Sequence, residues 1–139
     1  MMRACGSDWE NAWQTVSIVL TGNGEIAALN LRHMGQDVCT DVLSFRYDPL
    51  PGEAPLPTGE VVVNVELAVT EGRKRQKADP TWTPSLELAL YLAHGCDHLA
   101  GFNDATAAER RRMRRRELSW LKQAEADHLL HPLPETSDA

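Results

Sequence analysis

The sequence predicts an α+β fold, a small mixed β-sheet covered by helices. Short β-branched runs separated by turn signals occupy the first half of the chain. Helical periodicity fills the second half, with N-cap signals ahead of its runs. One of those helices is apolar nearly all round, so it is expected to lie inside the molecule. With 139 residues, 42% apolar and 24% charged, the chain has the size and composition of one globular domain. A single domain is expected over 1–139, with its core at about 15–126 and a frayed tail over 127–139.

Trp9 and Trp13 stand four apart ahead of the first strand, at the spacing of a short turn or of the core's edge. Val16 to Leu20 is that strand, and Gly22-Asn23-Gly24 is the turn after it. Glu25 to Met34 reads as a helix, with Ile26, Leu29, Asn30 and Met34 to one side and Gly35 as its stop. Val42 to Phe45 is a second strand. The segment from Asp48 to Thr58 holds Pro49, Pro51, Pro55 and Pro57 and is therefore irregular. Glu60 to Val65 is a third strand, with the continuous apolar character of one buried on both faces. Glu66 to about Ala78 is helical and ends before Asp79-Pro80. Thr83 caps the next helix and Pro84 fits its first position. That helix runs to about Leu99 and stops at Gly101; Leu86, Leu88, Ala89, Leu90, Leu92 and Ala93 make it the buried one. Thr106 and Glu109 form a capping box for a last helix reaching about Ala126.

The net charge is −6. That disfavours a protein that coats nucleic acid with its whole surface, but leaves room for a local basic patch. Six of the 14 Lys and Arg residues fall between Arg110 and Arg116, and four more are Arg73, Lys74, Arg75 and Lys77. Such runs are most often solvated helix faces, here with Glu109 and Glu117 placed for i,i+4 pairing. The other reading is a basic face flanking a site. No apolar run approaches the roughly 18 residues a membrane span needs. The N-terminus shows no apolar signal region, so a cytoplasmic protein is expected. Cys5, Cys39 and Cys96 are an odd number without framework spacing, which fits a reducing compartment. Cys39 and Cys96 are expected to pack as small apolar groups. His128 and His131 are expected to be exposed in the tail.

The chemistry is concentrated in His94-Gly95-Cys96-Asp97-His98-Leu99-Ala100-Gly101-Phe102-Asn103-Asp104. His94 and His98 are four apart, which puts both imidazoles on one helix face. Gly101 allows a sharp turn, after which Asp104 can return as a third ligand. Two imidazoles and a carboxylate with an open fourth position suit a catalytic zinc ion, and would also suit other first-row metals. The plainer reading is a satisfied polar pair on a helix. Gly95 stands where the H-E-x-x-H peptidases carry their general base, so that chemistry lacks its base here. Asp97 points about 100° off the His face and is expected to lie behind the ligands or on the surface.

These residues resemble the YbeY endoribonucleases, also called rRNA maturation factors, whose hallmark is H-G-x-L-H-L-x-G-Y-D-H. His94, Gly95, His98, Leu99 and Gly101 are in register with it, and Phe102 stands for the aromatic. Two further hallmarks are matched by Asn30 followed by Thr40-Asp41-Val42-Leu43-Ser44-Phe45, and by Gly59-Glu60-Val61-Val62-Val63-Asn64. The last helix carries Met113 and Glu117 at the family's spacing. The likeness covers roughly residues 15 to 121. It implies a zincin-like metal site at the end of the buried central helix, with one zinc ion per chain on His94, His98 and Asp104. It implies a metal-dependent endoribonuclease cutting single-stranded RNA in ribosomal RNA maturation and ribosome biogenesis. Ribosomal RNA and small-subunit components would be its partners, with no membrane involved, and Arg73, Lys74, Arg75 and Lys77 would bind RNA along a basic groove. The chain departs from the family at Asp104 (usually His), Asn103 (usually Asp), Glu60 (usually Asp) and Met34, where the family has an Arg tied to cleavage. Arg32 is the nearest substitute for that Arg. These departures leave a second function open, a non-catalytic metal-containing ribosome-assembly factor of the same fold.

Overall fold

The computed structural model describes residues 12–53 and 55–128. The expectations for Cys5, Trp9, His131 and 129–139 fall outside the described residues. Among these residues the chain forms β1 (Thr15–Thr21), α1 (Asn23–Met34), β2 (Val42–Tyr47), β3 (Thr58–Asn64), α2 (Val65–Ala78), α3 (Pro84–Leu99) and α4 (Ala107–Ala126). The predicted elements are all present, in the predicted order.

The sheet runs β1-β3-β2, with β1 parallel and β2 antiparallel to β3. β3 is central, and Val61, Val62 and Val63 are at most 1% exposed, as its apolar run requires. Side chains alternate across it. Val61 and Val63 join Val42, Ala68, Tyr91 and Leu99 in one core cluster beneath α2 and α3. Val62 faces the other side, where α1 packs; there His33 meets Phe45 of β2 with ring centroids 5.0 Å apart. A second cluster joins Leu86, Ala89, Leu90 and Ala93 of α3 to Trp120 and Leu121 of α4. α3 is therefore held between the sheet and α4, the buried central helix that the sequence predicts. β1 is an edge strand. Its Ile18 and Leu20 share the face of Val61 and Val63 but stand 55% and 61% exposed.

The strands start or end one or two residues beyond the expected limits, β1 at Thr15–Thr21, β2 on to Tyr47 and β3 back to Thr58. Two further boundary shifts share a side-chain cause. β3 ends at Asn64, not Val65, because the Asn64 side chain accepts the Leu67 N–H and caps α2. The Asn64 amide also donates to Asn23 Oδ1 at 2.7 Å and to the Thr40 carbonyl at 3.2 Å, so one buried side chain ties α1, the segment before β2 and α2 together. α1 begins at Asn23, inside the expected turn. Its N-cap Gly22 offers no side chain, and Glu66 of α2 supplies the missing acceptor to the Asn23 N–H at 2.9 Å. Cys39 is exposed and not a packing residue: its thiol bonds Asn23 Oδ1 and receives the Asn64 amide. No helix among the described residues is long and apolar enough to cross a membrane.

Candidate metal centre

α3 can carry a site close to the sheet because Gly95 lets it approach. A Cβ at position 95 would stand 2.6 Å from Val61 Cγ1 and 2.8 Å from Val42 Cγ2, closer than real contacts permit. The Ser44 hydroxyl donates to the Gly95 carbonyl at 2.8 Å and pins β2 to the helix there. The helix ends in a turn whose Gly101 has φ +87, a conformation glycine adopts without penalty. Asn103 then accepts the Ala105 N–H through its side chain, and the short loop brings Asp104 back over the helix.

Three side chains converge as a result. His94 Nε2 and His98 Nε2 are 3.0 Å apart, and Asp104 Oδ2 lies 3.7 Å from the first and 3.6 Å from the second. Ligand bonds of about 2.05 Å at tetrahedral angles separate donor atoms by about 3.3 Å, so this triangle has the size of a divalent-ion face. Among the described residues this is the group of His, Cys, Asp and Glu whose ligand atoms cluster within 4.8 Å. The donor set fits zinc and other borderline first-row ions. All three side chains are about a quarter to a third exposed, which leaves an approach from solvent.

The orientation of the first ligand comes from α4. Glu117, 1% exposed, lies 2.9 Å from His94 Nδ1. A carboxylate accepts, so Nδ1 carries the proton and Nε2 turns its lone pair to the triangle. The same hydrogen bond raises the His94 pKa above its ordinary value, against burial; the charges of Glu117, Asp41 and Asp104 add to the rise. Glu117 is thus not a partner for the arginines around it. The sequence does hold a signal for this. Met113, Glu117, Trp120 and Leu121 form an i, i+4, i+7, i+8 stripe, and all four are buried. A carboxylate inside an apolar stripe has to find a buried partner. Glu117→Gln is expected to keep the fold and weaken metal affinity about 10- to 100-fold, read by competition against a calibrated chelator. Unchanged affinity would remove Glu117 from the site.

Asp97 is wholly buried, which corrects the surface half of its sequence reading. Its Oδ1 receives Arg116 Nε and Nη2 at 3.2 and 3.0 Å, while Oδ2 finds no hydrogen-bond partner among the described residues. Burial raises its pKa to about 6, and Arg116 opposes that rise. The Arg116 guanidinium also lies 3.6 Å over the Phe102 ring, so α4 holds both the end of α3 and the loop leading to Asp104. Cys96 is buried in α3.

The other predicted residues are not brought to this triangle. Arg32 is exposed in the last turn of α1, on the opposite side of the sheet from α3, and Met34 beside it is 62% exposed. Arg75 pairs with Glu87 at 3.4 Å and lies over Trp82. Glu87 is seven residues from His94, about 10 Å along α3. Lys74 pairs with Glu71, and Arg73 and Lys77 are exposed on the same helix.

Residues 3–125 match the protein-family model described as Endoribonuclease YbeY. The chain is 41% identical over 102 residues to Endoribonuclease YbeY of Anaeromyxobacter sp. (strain Fw109-5), a match covering 73% of this chain and 50% of that one. It is 37% identical over 87 residues to the protein of that name in Deinococcus radiodurans, covering 62% and 53%. The Alkaliphilus metalliredigens protein of the same name is 34% identical over 114 residues, covering 78% and 69%. The chain thus spans about half the length of the first two curated relatives. A solution structure of a Thermotoga maritima protein shares the fold, with a TM-score of 0.56 at 23% identity over 89% of this chain and 77% of that one.

Proposed function

The chain belongs to the YbeY endoribonuclease family, and on that premise we propose that it is a metal-dependent endoribonuclease that cuts single-stranded RNA during ribosomal RNA maturation. Ribosomal RNA, with small-subunit components around it, is the proposed partner, the cytoplasm its place, and one zinc ion per chain its cofactor. The observation that carries this reading is the half-open triangle of His94, His98 and Asp104 with Glu117 behind it. His94, His98 and Asp104 would hold the ion, which when bound supplies Lewis-acid charge at a phosphoryl oxygen and acidifies water. Glu117 fixes the His94 tautomer. Arg116 and Asp97 fix the end of α3 and, through Phe102, the loop that delivers Asp104.

The peptidase reading fails on the same geometry. A glutamate at position 95 would drive its Cβ into Val61 and Val42, so no general base of that type can stand beside His94. The second reading, a metal-containing assembly factor without catalysis, rests on the sequence departure at Met34, where the family's arginine tied to cleavage is replaced by an uncharged side chain. One assay separates the two. Purified protein is incubated with single-stranded and duplex RNA, with and without a chelator. Cleavage of single strands that stops on chelation and returns with added zinc is the expected result. RNA binding with no cleavage in any metal selects the assembly factor.

A further inference from the structure

We infer that the exposed arginines of α4 form a phosphate-binding ridge that receives an RNA strand at the rim of the metal centre. This rests on the endoribonuclease reading and names the surface through which that site takes its substrate. The ridge is Arg110, Arg111, Arg114 and Arg115, which line a shallow groove together. Its inner end touches the site: Arg110 Nη1 donates to the carbonyls of Asp104 and Ala105 at 3.1 and 3.2 Å. From there the ridge winds outward. Arg115 projects about 160° from the buried direction of Met113, and Arg114 stands between it and the Glu117 side.

Nothing in the helix explains these charges. Between Thr106 and Leu121 the only carboxylates are Glu109 and Glu117. Both are diverted from the pairing that the sequence spacing suggests. Glu109 closes the capping box on the Thr106 N–H, and Glu117 is buried against His94. Among the described residues no carboxylate forms an ion pair with Arg110, Arg111, Arg114 or Arg115. Arg110 and Arg114, and Arg111 and Arg115, are like charges at i,i+4, which destabilise a helix. They also crowd the N-terminal half of α4, where the helix dipole favours anions. A chain with a net charge of −6 therefore concentrates cations where local electrostatics opposes them. A polyanion resolves that conflict. Arginine, not lysine, fills all four positions, and its planar fork suits phosphate oxygens. An acidic protein segment would use the same charges, but the ridge adjoins a candidate phosphodiester-cleaving centre, and that favours RNA.

The test is binding, kept separate from cleavage. A single-stranded 2′-O-methyl RNA is titrated with wild type, with Arg111→Gln/Arg114→Gln/Arg115→Gln, and with Arg73→Gln/Lys74→Gln/Lys77→Gln, across a salt series. The α4 variant is expected to bind at least about tenfold more weakly and to lose about 2 from the slope of log K against log salt, at about 0.7 per phosphate. The α2 variant, with the same charge removed, is expected to lose less than half as much. Its thermal midpoint is the second readout: the α4 variant should melt no lower than wild type, because repulsion is relieved. Equal losses in the two variants, a lower melting point in the α4 variant, or equal competition by poly-glutamate would each overturn the ridge. Failure of the endoribonuclease reading looks different: the ridge then governs RNA binding, and the natural 2′-hydroxyl RNA survives uncut.

Discussion

Asp104→Ala is expected to strip most of the metal from the protein and to lower RNA cleavage by at least about a hundredfold, more than loss of an outer-sphere partner costs. Two imidazoles are left, and two ligands on one helix make a poor site for a divalent ion. His98→Ala should do the same, since it also breaks the 3.0 Å pair. Asp104→His is the informative control. It restores three ligands and removes one negative charge, so metal should stay. The carboxylate offsets part of the ion's charge, so its loss should make water at the site more acidic and move the pH optimum for cleavage downward. Elemental analysis of each variant, with a pH profile of the histidine variant, reads both parts. Full metal occupancy in Asp104→Ala would remove Asp104 from the ligand set.

The site was legible where its logic is local. His94 and His98 are four residues apart, and one helical turn fixes their relation whatever the fold. Gly101 and Asp104 follow within six residues, so the return of the third ligand needs only a turn. The caps of α3 and α4 were legible for the same reason: Thr83 accepts the Leu86 N–H, and Thr106 and Glu109 satisfy each other. Glu117 was legible as a family position and as a carboxylate in an apolar stripe, but its partner was not. Its work depends on the packing of α4 against α3, which brings it to a residue 23 positions earlier. In a run of six arginines its spacing suggested surface pairing, and only the apolar stripe around it spoke against that.

The basic clusters show where sequence stops. Arg73 to Lys77 and Arg110 to Arg116 look alike as runs. Their difference lies in which acids reach them. For α2, Glu71 of the same helix takes Lys74 and Glu87 of α3 takes Arg75. On α4 the nearby acids go to a cap and to a histidine, and among the described residues only Arg116 finds a carboxylate, Asp97 of α3. Charge counting cannot separate these cases, because the outcome is set by which side chains the fold buries.

Arg116→Leu is expected to be the most destabilising single change at this end of the molecule. It leaves the Asp97 carboxylate, fully buried and with one oxygen unpartnered among the described residues, without its counter-charge. Breaking one half of a buried pair costs about 3–5 kcal/mol, or about 10 °C or more of melting temperature for a domain of this size. Replacing a buried ion pair by apolar side chains of similar volume is often neutral or stabilising. Asp97→Leu/Arg116→Leu should therefore recover most of that loss, because neither desolvated charge remains. Melting curves for the two single variants and the double give the coupling between the residues. A double variant as unstable as Arg116→Leu alone would show that the arginine matters through its stacking on Phe102 and Trp120, not through the ion pair. The expected rescue implies something else in turn. If apolar residues serve stability equally well, the pair earns its place by fixing the loop: Arg116 spans the end of α3 and Phe102, two residues before Asp104. The double variant should then fold as well as wild type, yet hold its metal less tightly.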